Sequence, residues 1–183
     1  MATTLVDYLQ SVPDFRSDLG KRYRLDHLLL MIIFGMMSGC YGYRELGTFV
    51  KANRSEFVTL LGLKRNAVPS HVTIRTVLQG IDFSALNQQF SQWAAKHLSI
   101  DADDLFNIDG KALASTISDY ASAKQNFICF LSLFSQRQGA VLSLRRYHNG
   151  HTSEIPTLRQ MIEALDLTGV TVSVDALHCQ KKR

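Results

Sequence analysis

A chain of 183 residues with 46% hydrophobic and 20% charged side chains is too apolar to remain disordered. It is long enough to bury roughly 70% of its unfolded surface, in one domain or two small ones. Twenty lysines and arginines against sixteen acidic residues give a formal net charge of +4, a tilt toward anionic partners. Three widely spaced cysteines, Cys40, Cys129 and Cys179, form no Cys-x-x-Cys pair, which argues against a disulfide framework and a zinc ribbon. The longest apolar run, residues 28–37, falls well short of the roughly 20 residues of a bilayer span. No basic segment precedes an apolar stretch at the N-terminus, so a soluble cytoplasmic protein with no membrane partner is expected.

From the start to about Ile100 the apolar residues recur at helical spacing. Leu5, Tyr8, Leu9 and Val12 make a short stripe. Leu25 to Met37 is apolar nearly all round, which predicts a buried central helix. Leu46, Phe49 and Val50 form a third stripe. Phe57, Leu60 and Leu61 form a fourth, after a Ser55 cap and before Gly62. Ser70 caps the next helix, which turns Ile74, Val77 and Leu78 inward and ends at Gly80. Leu86, Phe90, Trp93 and Ala94 then mark an amphipathic helix. After Asp101 the period becomes that of strands. Leu105 to Asp109 is one; Phe127–Phe134 and Ala140–Tyr147 form a hairpin with Gly139 in its turn, and Asn149-Gly150 ends the second arm. A helix with Ile155, Leu158, Ile162 and Leu165 on one side, and Pro156 in its first turn, leads through Gly169 to the strand Val170–Asp175. The fold class is therefore α+β: a helical domain over 1–100, then an α/β half over 101–183.

Two aspartates stand out. Asp109 and Asp175 each sit where an apolar strand meets polar sequence. Alternation places Val170, Val172 and Val174 on one face and Thr171, Ser173 and Asp175 on the other. Side by side in one sheet, the two strands can bring both carboxylates together, a donor set suited to Mg²⁺. The competing reading makes Asp109-Gly110 a turn and Asp175 a strand terminator. No acidic residue lies between Asp119 and Glu154, where Lys124, Arg137, Arg145, Arg146 and His148 occur. Arg145 and Arg146 at a strand end, with Lys181 and Lys182 near the C-terminus, read either as phosphate contacts or as solvated surface. The helices around Gly62 have the shape of a helix-turn-helix, and Arg75, Thr76 and Gln79 lie outside the inward stripe, where they can face a DNA groove. Ordinary helical packing explains the same pattern.

Several segments along the chain carry a resemblance. They are Val12-Pro13-Asp14-Phe15-Arg16, Gly42-Tyr43-Arg44-Glu45-Leu46, Pro69-Ser70-His71-Val72-Thr73-Ile74-Arg75, Asn107-Ile108-Asp109-Gly110-Lys111 and Ser173-Val174-Asp175-Ala176-Leu177-His178. Together they resemble bacterial insertion-sequence transposases of the H-repeat-associated type, members of the DDE transposase superfamily. The resemblance implies an N-terminal helical domain followed by an RNase H-like catalytic domain, incomplete in this chain. It implies two Mg²⁺ ions held by two aspartates and a later glutamate, with Asp109 and Asp175 as catalytic metal ligands. Such a pair, about 3.5–4 Å apart, activates the attacking oxygen and stabilises the leaving one. DNA, as element ends and target, is the implied partner, with a second copy or a full-length transposase as the protein partner. Lys111 can approach a phosphate or simply be solvated.

After Asp175 the chain holds no Asp or Glu. Glu154 and Glu163 precede it, and Glu154 is more simply a favourable charge at a helix N-terminus. The expectation is a C-terminally truncated transposase whose DNA cleavage and strand transfer are lost in this chain alone. The alternative is a DNA-binding or inhibitory fragment without catalysis. A third reading is an unrelated metal hydrolase using both aspartates.

Overall fold

The computed structural model describes residues 4–64, 66–97, 103–117, 127–149, 154–163 and 169–174. The chain divides into two compact units, Met1–Trp93 and Ala94–Arg183. Among the described residues no helix is long and apolar enough to cross a membrane.

The first unit is helical: α1 (Leu5–Gln10), α2 (Leu25–Met37), α3 (Tyr43–Ala52), α4 (Arg54–Leu61) and α5 (His71–Gly80), with α6 (Phe83–His97) running past its boundary. The expected central helix α2 has the bounds read from the sequence, and Leu28, Leu29, Met31 and Ile32 on it are buried. They pack with Leu9, Leu46, Val50, Phe57, Ile74 and Val77 into one core. Gly35 lets α3 approach, because a methyl there would lie 2.5 Å from Leu46 Cδ2. Asp26, buried in the first turn of α2, accepts two bonds from the Arg24 guanidinium at 3.0 and 2.9 Å, the bidentate geometry that makes such a pair strong.

Two local expectations need correction. Ser55 does not cap α4: that helix starts at Arg54, Asn53 both ends α3 and precedes α4, and the Ser55 hydroxyl donates to Glu56. The two helices share a joint, which leaves no free residue for a separate cap. Leu60 is 63% exposed, so of the expected α4 stripe Phe57 is the buried member. The Ser70 cap is present, accepting from Thr73 N, and Gly62 ends α4 at φ 58°, a left-handed conformation that suits glycine.

The second unit holds β1 (Leu105–Leu113), β2 (Ile128–Ser135), β3 (Ala140–His148), α7 (Glu154–Glu163) and β4 (Thr171–Val174). The sheet order is β3-β2-β1-β4. β1 and β2 are antiparallel, as are β2 and β3, while β4 lies parallel to β1. The first and last strands are neighbours as expected, with β4 at the edge of the described sheet. Gly139 turns the hairpin at φ 62°.

One face of the sheet carries Phe106, Ile108, Cys129, Leu131 and Leu133, and packs with Leu158 and Met161 of α7. The α7 stripe is wider than expected: Leu158 and Ile162 pack on the sheet core as expected, Thr157 and Met161 are also buried, Ile155 is exposed, and Leu165 lies outside the described residues.

A buried polar clasp holds the start of β1. Asp104, 2% exposed, accepts from Ser135 Oγ at 2.7 Å and from the Arg137 amide at 3.4 Å. Ser135 Oγ in turn accepts from the Gln138 amide, so one carboxylate ties β1 to the hairpin turn. Removing it strands buried donors, at about 1–3 kcal/mol. Asp104→Ala is expected to lower stability by about that amount in urea unfolding, and an unchanged midpoint would refute the clasp.

Candidate metal and nucleic-acid site

Asp109 lies inside β1, and the strand continues to Leu113. The turn reading of Asp109-Gly110 is thereby excluded. Strand pairing on β1 overrides the local turn signal, since Asp109 pairs opposite Ser132, whose hydroxyl donates to the Asp109 carbonyl at 3.3 Å. Ile108 is buried and Asp109 exposed, so alternation turns the carboxylate to the face opposite α7. On β4, Val172 and Val174 pair with Phe106 and Ile108. The register thus brings β4 to within one position of Asp109. Asp175 lies outside the described residues, as do Lys181 and Lys182. Among the described residues no group of three or more His, Cys, Asp or Glu side chains could hold a metal.

The face bearing Asp109 also carries cations. Lys111, Phe130 and Arg146 are successive partners across β1, β2 and β3, and Leu113, Ile128 and His148 form the next row. Arg145 pairs with Leu131, on the other face. Adjacent residues of a strand point apart, so Arg145 and Arg146, though both exposed, do not form one patch. Arg146 is the member that shares the Asp109 face. Cross-strand register could not be read from the sequence, and it is what joins Lys111 to Arg146.

Glu154, in the first turn of α7, sits on the α7 face. Its carboxylate lies directly over Gly110, where any side chain would overlap it. Gly110 therefore serves a close approach within the strand, and Glu154 and Asp109 occupy opposite faces. Tyr147, buried beside Cys129 across the β2–β3 pair, has its phenol pushed above the ordinary value of 10.0. Burial is the main cause, followed by a hydrogen bond to Cys129 and the Cys129 and Glu154 charges.

In the first unit, Arg75, Thr76 and Gln79 are all exposed on α5. Thr76 Oγ1 donates to the Val72 carbonyl at 3.0 Å. The connection from α4 to α5 spans residues 62–70, longer than the roughly three- to four-residue turn of a helix-turn-helix. The exposed face is as expected; the tight turn is not.

Residues 6–94 match the DDE_Tnp_1-associated family, and that match ends within a residue of the first unit's boundary. The helical unit thus defines a transposase-associated class of domain. The H repeat-associated putative transposase YhhI of Escherichia coli K12 is 27% identical over 177 residues, covering 97% of this chain and 46% of its own length. YbfD, an H repeat-associated putative transposase of the same strain, is 26% identical, covering 97% of this chain and 68% of its own length. Putative transposase YncI of Escherichia coli O157:H7 is 26% identical over 178 residues, with coverages of 97% and 45%. Over 97% of its length the chain is thus similar to H repeat-associated putative transposases, and its helical unit matches the transposase-associated family. It spans about half the length of YhhI and of YncI.

The Tyr147 environment has a pH signature. A phenol whose folded-state pKa is raised adds stability that is fully present below its unfolded value and is lost as pH rises toward the folded one. Wild type is therefore expected to lose stability above pH 10 relative to Tyr147→Phe. Parallel stability curves for the two proteins above that pH would contradict the assignment.

Proposed function

We propose that this chain carries part of the DNA-cleaving and strand-transferring site of an insertion-sequence transposase, with Asp109 and Asp175 as its metal ligands. The observation that supports it is the parallel β1–β4 pairing, in which Ile108 faces Val174 and each aspartate follows a registered residue. Three antiparallel strands, a helix and a parallel fourth strand also agree with the first strands of the RNase H-like domain that the family resemblance implies.

Asp109 offers an exposed carboxylate on the uncovered side of its strand, the oxygen donor that a hard cation takes. Asp109 and Asp175 would hold Mg²⁺. Bound there, the ions supply Lewis acidity to the attacking and leaving oxygens of an in-line displacement. The chain's own contribution is to present the Asp109 carboxylate from β1, beside the strand that leads to Asp175. Lys111 and Arg146 offset phosphate charge along the neighbouring row.

A polypeptide of these 183 residues is expected to cleave no DNA above background, because two carboxylates alone leave a pair of Mg²⁺ ions incompletely neutralised. The alternative reading is a DNA-binding or inhibitory role on element ends, with a second copy or with a full-length transposase. The exposed Arg75, Thr76 and Gln79 of α5 favour this second role. A cytoplasmic setting follows from the same reading.

Metal binding separates the acidic site from general surface charge. In a Mn²⁺ titration followed by electron paramagnetic resonance, Asp109→Asn is expected to weaken binding at least about tenfold, since even loss of a supporting partner costs that much. Glu163→Gln should leave it unchanged. Equal affinities for wild type and Asp109→Asn would sink the metal assignment, and robust nicking by the wild-type chain would sink the inactivity.

A further inference from the structure

On α3, Arg44, Thr48 and Lys51 fall at i, i+4 and i+7 and are exposed together, a single stripe on the helix surface. Beside this stripe runs the segment 66–71, which leads into α5. Gly47 sets their spacing. A methyl there would lie 2.6 Å from His71 Cβ, 3.0 Å from its Cα and 3.1 Å from its amide nitrogen. Backbone that close cannot yield to a side chain, so glycine lets α3 lie against the start of α5.

Between the two lies an open groove of about 620 Å³, bordered by Arg44, Lys51, Arg54 and His71, with Ala67 and Val68 along its floor. Arg54 closes one end by donating to the Asn66 carbonyl and to Asn66 Oδ1. No acidic residue lines the groove. The nearest carboxylates in sequence are held elsewhere. Glu45 accepts from the Gly42 and Tyr41 amides, which keep its carboxyl below the ordinary value, and Glu56 accepts from Ser55. Among the described residues, no carboxylate forms an ion pair with Arg44 or Lys51.

We propose that this groove is a track for the phosphate backbone of duplex DNA, with Arg44 and Lys51 as its principal phosphate contacts. Seven residues of helix separate these cations by roughly 10 Å along the axis. At that spacing the two side chains can contact separate phosphates of one strand. The apolar floor between cationic borders suits the sugar edges that separate phosphates. Arg75, one turn along α5 from His71, continues the cationic stripe out of the groove toward Thr76 and Gln79. The proposal rests on DNA being the partner, as inferred above, and adds the surface that grips it.

The test uses the full chain in EDTA, so that metal chemistry at Asp109 does not enter. Fluorescence anisotropy of a labelled duplex of arbitrary sequence gives affinity across a salt series. Neutralising both cations in Arg44→Gln/Lys51→Gln should flatten the slope of log affinity against log salt by about 1.8, at about 0.9 per phosphate contact. Arg159→Gln, an exposed cation on α7, should leave the slope unchanged. Thr48→Glu, which places a negative charge in the stripe, should weaken binding severalfold and guards against a folding defect in the double variant; thermal unfolding checks each protein. Wild-type binding with the same slope and affinity in both folded groove variants overturns the groove. A wild-type chain that binds no duplex overturns the DNA reading itself.

Discussion

β1 is bonded along both edges, antiparallel to β2 and parallel to β4, and the second unit is organised around that double pairing. Phe106 and Ile108 alternate inward from it to meet Leu131, Leu133 and α7. Asn107, Asp109 and Lys111 alternate the other way by the same geometry. A one-residue slip of register would exchange the two sets, burying a carboxylate and a lysine while exposing two large apolar side chains. The packed face thereby determines where Asp109 points. The Asp104–Ser135 clasp reinforces it by locking the entry of the strand to the hairpin turn.

The first unit solves a different problem. Its central helix is apolar nearly all round: the surrounding helices bury Leu28 to Ile32, with close approaches at Gly35 and, between α3 and α5, at Gly47, while Phe34, Met36 and Met37 are exposed. The exposed surface includes cations in ordered stripes: Arg44 and Lys51 on α3, Arg75 on α5. Acidic residues beside these stripes are used at helix starts, as Glu45 is at α3. Positive charge is left to face solvent, and that division of labour fits a polyanionic partner better than the modest net charge alone would suggest.

Much of this architecture was legible because strong periodicity needs no tertiary information. α2 and the β2–β3 hairpin declare themselves in the order of apolar residues. The misreadings fall where distant partners decide the local outcome. Asp109-Gly110 punctuates the sequence like a turn, yet antiparallel pairing with β2 carries β1 through it. Ser55 looked like a cap because the shared joint at Asn53 leaves no local trace. Asp104 has the appearance of a surface acid, and its burial depends on a serine 31 residues away. The separation of Arg145 from Arg146, and the row joining Lys111 to Arg146, follow from cross-strand register, which composition does not encode. The strand position of Asp109 was legible from the apolar run before it, while Asp175, Lys181 and Lys182 lie outside the described residues.

The central claim is that two carboxylates from parallel neighbours share one face of the sheet and bind one kind of ion. Anomalous scattering from crystals of the chain soaked in Mn²⁺ addresses it directly. The account predicts an anomalous peak bridged by the carboxylates of Asp109 and Asp175, on the face away from α7. Those side chains on opposite faces, or manganese bound elsewhere with none beside Asp109, would contradict it.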